Sequence, residues 1–136
     1  MREAISVLNT ELDQSDMKGA IAGFSDQISA SFSIMKECTF RHEYFDIQKI
    51  IVLGMGGSAI GGDVARVIAQ HTCTVPIIVN RSYDIPKWVD SHTLVIASSY
   101  SGGTEETLSA FSQCQEKNSP IIVLSVGGKI SEHADE

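Results

Sequence analysis

Four short apolar runs set the limits on this fold: Ile50-Ile51-Val52-Leu53, Pro76-Ile77-Ile78-Val79-Asn80, Leu94-Val95-Ile96-Ala97 and Pro120-Ile121-Ile122-Val123-Leu124. Each is short, continuously apolar and rich in β-branched residues, the pattern of strands buried on both faces. Between the first and second runs lies a helical period with Ile60, Val64, Val67 and Ile68 on one face. Between the third and fourth, Thr107 to about Lys117 reads as a helix, preceded by an acidic turn at Glu105-Glu106. The order strand, helix, strand, strand, helix, strand predicts an α/β domain, a mainly parallel sheet with helices on both faces. The stretch Arg81 to Asp90, with Pro86 and Trp88, reads as a loop or short turn and leaves the second and third strands without a clear helix between them.

The first 45 residues differ in character. Ser15 or Asp16 could cap a short helix running to Ile21 and ended by Gly23; Ser25 could cap a second helix carrying Ile28, Phe32 and Met35. That i, i+4, i+7 stripe must pack on something, so residues 1–45 are expected to be a helical extension packed on a domain formed by 46–136. His42 beside Glu43 reads as a solvated pair. A helix beginning near Lys129 would be cut off in its first turns, so the chain is expected to be a piece of a longer protein.

Composition removes several function classes. A net charge of −7 with no basic run argues against nucleic-acid or anionic-membrane partners. Cys38, Cys73 and Cys114 are scattered and odd in number, which fits reduced thiols in a cytoplasmic protein and gives no metal-ligand spacing. The sequence MREAISVLNTELDQ lacks the form of a signal peptide, and no apolar run approaches the roughly 20 residues of a membrane span.

The chemistry lies in two loops. After the third run come Ser98, Ser99, Ser101, Gly102, Gly103 and Thr104, hydroxyls and glycines leading into a helix N-terminus. Hydroxyl donors, close-approaching N–H groups and a helix dipole at one corner make an anion site, most often for phosphate. The first loop, GMGGSAIGGD, reads in two ways. Gly54, Gly56 and Ala59 match the dinucleotide pattern G-x-G-x-x-A, but the second strand ends in Asn80 and Arg81 where that pattern wants an acidic residue. Alternatively Gly56, Gly57 and Ser58 cradle a phosphate. Gly61 and Gly62 each cost a helix about 1 kcal/mol relative to Ala, which points to a close approach by a ligand, a backbone or the sheet. Strand order separates the two readings. A 2-1-3-4 order puts strands one and three side by side at the switch point, so both hydroxyl-bearing loops face one crevice; a 3-2-1-4 order separates them. The loop pair favours a small phosphorylated ligand. Glu105 and Glu106 are read as pointing outward, stabilised by the helix dipole, the alternative being a base or a binder of sugar hydroxyls. His71, His92 and His133 are read as surface residues.

GMGGSAIGGD, YDIPKWVDSHTLVIASSYSGGTEETL and IIVLSVGGKI closely resemble the sugar isomerase (SIS) domain of bifunctional phosphoglucose/phosphomannose isomerases, and the likeness extends through DQSDMKGAIAGFSDQI. One departure is visible: the family pattern S-x-S-G-N/D-T meets Gly103 here, which removes a side chain from the loop. The resemblance implies a three-layer domain of flavodoxin-like 2-1-3-4 order, with phosphate contacts at Gly56, Gly57, Ser58, Ser99, Ser101 and Thr104. It implies a homodimer acting on hexose 6-phosphates, interconverting glucose 6-phosphate or mannose 6-phosphate with fructose 6-phosphate, without metal or cofactor. The base, the ring-opening group and the assisting cation of that family lie downstream of the matched region, so no catalytic residue is assigned in this chain. The rival readings are a non-enzymatic module that senses a phosphosugar and a fragment of a nicotinamide-dependent dehydrogenase.

Overall fold

The structure is a computed structural model describing residues 13–39, 44 and 46–133. His42 and Glu43 lie outside the described residues. The chain divides into two compact units, Met1–Glu43 and Tyr44–Glu136.

Among its described residues the first unit holds two helices, α1 (Met17–Ala22) and α2 (Phe24–Glu37). Asp16 caps α1 through a bond from the Gly19 N–H at 3.1 Å. The Asp13 carboxylate accepts from the N–H groups of Lys18 and Met17, which holds its pKa below the usual value. Gly23 ends α1, as its sequence position suggests, and also opens α2. Ser25 is therefore not the cap expected of it: it lies in the first turn of α2, and the Gly23 carbonyl accepts from Asp26 and Gln27. Ile28, Phe32 and Met35 are exposed.

The second unit is built on four parallel strands: β1 (Lys49–Leu53), β2 (Ile77–Asn80), β3 (Thr93–Ser98) and β4 (Ile121–Leu124), in the order β2-β1-β3-β4. β1 pairs with β3 from Lys49 opposite Thr93 to Leu53 opposite Ala97. Its described residues add three helices: α3 (Gly56–Ala69), α4 (Glu105–Glu116) and the short α5 (Lys129–Glu132). Alternation along the strands divides the sheet into two faces. Ile51, Leu53, Val95 and Ala97 pack with Ala110, Phe111 and Cys114 of α4 and with Ile130 of α5. Burial in this cluster pushes the Cys114 thiol up to about 11. Residues of the opposite parity face α3, where Gly62 meets Val52 and Val79.

Ile60, Val64, Val67 and Ile68 do form one face of α3, but that face is exposed, and the buried residues of the helix are Ala59 and Gly62. A Cβ on Gly62 would lie 2.9 Å from a Val52 methyl, so the small-residue face lets the helix settle close onto the sheet while the large aliphatics point away. Gly61 has nothing within 4 Å of such a Cβ.

The connection from β2 to β3 contains no helix, as its sequence suggests, yet it fills a helix's place. Val89 enters the core and Ile85 packs on it. Gln113 of α4 clamps the segment, donating to the Tyr83 carbonyl at 2.7 Å and accepting from the Ile85 N–H at 3.4 Å. Lys49 holds the far end, bonding the Trp88 carbonyl at 3.0 Å and Asp90 at 2.9 Å. These backbone and side-chain bonds do what a crossover helix would do for its own polar groups.

Candidate phosphate-binding site

Because β1 and β3 are neighbours, the loops that leave their carboxyl ends start side by side. After β1, Gly54 is buried, and a Cβ there would lie 3.0 Å from the Ser98 carbonyl oxygen. Met55 is the N-cap of α3 and offers no side-chain hydrogen bond. Gly56 then takes φ +51°, a conformation that favours glycine, and opens the helix with Gly57 and Ser58. The first N–H groups of a helix have no i−4 acceptor inside it; here no cap side chain supplies one, although the Ser58 N–H donates to the Met55 carbonyl at 3.1 Å.

After β3, Ser99 is 2% exposed, and its Oγ lies 3.0 Å from Thr104 Oγ1. Thr104 is the N-cap of α4, but its hydroxyl makes no capping bond and is turned to Ser99 instead. Thr104 thus stands at the N-cap position without capping through its side chain, and no side chain closes the N-terminus of α4. Ser101 Oγ accepts from the Gly103 N–H at 3.3 Å, which leaves the hydroxyl proton free to donate outward. The positive φ of this loop belongs to Gly102 (φ +67°), not to Gly103.

The structure thus brings Ser99 and Thr104 into contact, sets Ser101 beside them on the same loop, and places Gly56, Gly57 and Ser58 on the adjoining one. Ser58 lines a cavity of about 400 Å³ together with Ser98, Tyr100, Leu124, Ser125 and Val126. Two helix N-termini and four hydroxyls at one sheet edge form a surface of partial positive charge and hydrogen-bond donors.

The acidic residues beside it are disposed of locally. Glu105 accepts from the Tyr83 hydroxyl at 3.4 Å, and Glu106 lines a narrow cleft with Asn80, Arg81 and Thr107. The negative charge of Glu106, then partial burial and the charge of Glu105, raise the Tyr83 phenol above its ordinary pKa. Arg81 pairs with Asp63. Of the histidines, His92 pairs with Asp46 at 3.2 Å, His71 meets Gln70 and the His133 ring lies tilted by 35° at 6.3 Å from that of Phe111. Among the described residues no group of three or more His, Cys, Asp or Glu is placed to hold a metal, and no helix is long and apolar enough to cross a membrane. Reading the sequence misses the bonds of Tyr83 to Glu105 and of Gln113 to Tyr83 and Ile85, which tie α4 to the β2–β3 connection, since partners that far apart in the chain carry no spacing signal.

The strand order is 2-1-3-4, so the dinucleotide reading loses its topological support. Asn80, where a ribose-binding acid would stand, donates to the carbonyls of Ser82 and Asp84.

Comparison with known proteins agrees. The SIS domain family model matches residues 43–136. The chain is 45% identical over 117 residues to a bifunctional phosphoglucose/phosphomannose isomerase of Caldicellulosiruptor bescii, covering 86% of this chain and 34% of that one. It is 42% identical over 89 residues to a D-glucosamine-6-phosphate 4-epimerase of Sulfolobus acidocaldarius, covering 65% of this chain and 28% of that one. The chain therefore spans about a third or less of the length of these relatives. Among solved structures, one from Clostridium difficile, described as a candidate phosphosugar isomerase, shares the fold with a TM-score of 0.58 at 22% identity, over 64% of this chain and 26% of that one. On its fold, its loop pair and the match to residues 43–136, this chain belongs to the SIS domain family.

Proposed function

We propose that this chain is the phosphate-holding SIS domain of an aldose–ketose isomerase that interconverts glucose 6-phosphate or mannose 6-phosphate with fructose 6-phosphate. The observation that carries the reading is the Ser99–Thr104 hydroxyl pair at an uncapped helix N-terminus, beside the Gly56-Gly57-Ser58 turn. The identity to the bifunctional isomerase supports the substrate class. Moving a carbonyl between C1 and C2 requires a base at C2, an acid/base group to open the ring and donors or a cation for the enediolate. In this reading Gly56, Gly57, Ser58, Ser99, Ser101 and Thr104 hold the phosphate and leave the rest of the sugar free for those groups, which this chain does not supply.

The same proposal includes a cytoplasmic homodimer, with residues 1–45 as a helical extension packed on the SIS domain. The exposed aliphatic face of α3 and the exposed Ile28, Phe32 and Met35 are the surfaces that call for partners. Sedimentation of the chain and of a form lacking residues 1–45 checks this: a monomer in both, with equal stability, contradicts it.

The binding claim is tested by NMR titration with glucose 6-phosphate, mannose 6-phosphate and inorganic phosphate. All three should bind with similar, roughly millimolar affinity, about −4 kcal/mol, and a coupled assay should show no turnover, because nothing assigned here reads the C2 configuration. A clear epimer preference or isomerisation above background would place a catalytic group within the chain, with Glu105 and Glu106 the first to test.

A further inference from the structure

We infer that the turn joining β4 to α5, Ser125–Gly128, sets the shape of the phosphate loop, with Gly128 as its positioning residue; the inference rests on the phosphate-binding reading above. Two glycines cross back to back at this point. A Cβ on Gly128 would overlap the Ser101 carbonyl oxygen and lie 3.0 Å from Gly102 Cα; a Cβ on Gly102 would overlap the Gly127 carbonyl oxygen. Both have φ in the region that favours glycine, +78° for Gly128 and +67° for Gly102. No other residue fits either place.

Hydrogen bonds lock the crossing. The Val126 N–H donates to the Tyr100 carbonyl at 3.3 Å, and the Ile130 N–H donates to the Gly102 carbonyl at 3.1 Å. Within the turn, the Ser125 hydroxyl donates to the Gly127 carbonyl at 2.7 Å, and the Ser131 hydroxyl reaches the same oxygen at 3.2 Å. Just before the turn, the Leu124 carbonyl accepts from the Ser99 N–H at 3.0 Å.

The consequence follows from the planar trans peptide. Fixing the direction of a carbonyl fixes the N–H of the next residue in the opposite direction. With the Tyr100 and Gly102 carbonyls held by the turn, the N–H groups of Ser101 and Gly103 are aimed away from it. The Gly103 N–H then meets Ser101 Oγ and orients that hydroxyl as a donor. The β4–α5 turn touches none of the assigned hydroxyls directly, yet it determines where the donors of the loop point.

The test compares Gly128→Ala with Gly62→Ala, which strains the contact of α3 with Val52 and Val79 instead of the loop crossing. With glucose 6-phosphate and with inorganic phosphate as probes, Gly128→Ala should bind about tenfold or more weakly, the value of roughly one charge-assisted hydrogen bond. Gly62→Ala should keep wild-type affinity even where it loses melting temperature. Wild-type affinity in a folded Gly128→Ala overturns the inference and leaves the phosphate site standing; a wild-type chain that binds neither probe overturns both. Should Gly128→Ala not fold, amide exchange in the wild type decides. Saturating glucose 6-phosphate should slow exchange at Val126 and Ile130 along with the loop amides by about tenfold or more, and unchanged exchange at those two positions contradicts the coupling.

Discussion

Thr104 occupies the place from which a threonine ordinarily caps a helix, and an N-cap hydroxyl is worth about 1 kcal/mol. Its hydroxyl is given instead to the buried Ser99. Forgoing the cap leaves the α4 N–H groups for a ligand, which is what an anion site requires. At Gly103, where the family pattern has Asn or Asp, a Cβ would meet only Ser101 Oγ at 4.0 Å, and the backbone does not require a positive φ. Gly103→Asn should therefore fit without strain and raise stability by a few tenths to about 1 kcal/mol by restricting the unfolded chain. Thermal melts check it, and a fall of several degrees would mean the loop is shaped otherwise. The hydroxyls of this loop were legible in the sequence because the chemistry needs those residue types. Which of the two adjacent glycines takes the left-handed conformation was not legible. That is decided at Gly102 by the Gly127 carbonyl, a contact from the next strand's loop that no local pattern announces.

Among the elements, α3 shows where periodicity stops being informative. The spacing of Ile60, Val64, Val67 and Ile68 identifies a stripe correctly, but a stripe does not say whether it faces the sheet or the solvent. The deciding signal is the small-residue face: Gly62 sits against Val52 and Val79, and no larger side chain could occupy that contact. Gly62→Ala should cost about 1–3 kcal/mol through overpacking. Gly61→Ala, with open space around it, should gain about 0.5–1 kcal/mol from helix propensity alone. Urea unfolding of the two variants should move in opposite directions; a loss at both would mean that the helix cannot accept a side chain on either flank. The strands were readable almost to the residue, since buried parallel strands are continuous apolar runs. The β2–β3 connection was readable only as an absence of helix, because Gln113 and Lys49, which hold it, belong to elements far off in sequence.

For the whole molecule, the order β2-β1-β3-β4 is the fact on which function turns. It makes β1 and β3 neighbours, so the Gly56-Gly57-Ser58 turn and the Ser99–Thr104 loop open on one edge, and it separates this chain from a dinucleotide binder with a similar glycine pattern. The net charge of −7 means that any phosphate is held against the overall field by local dipoles and hydroxyls. Affinity should then depend on those few donors. Calorimetry of glucose 6-phosphate binding to the wild type and to Thr104→Ala tests this most directly. Hydrogen bonds to a charged group are worth about 1.5–3 kcal/mol, so the substitution should weaken binding roughly 10- to 100-fold, beside a loss of melting temperature because the buried Ser99 hydroxyl loses its partner. Equal affinity in the two proteins would remove the Ser99–Thr104 loop from the site and contradict the account.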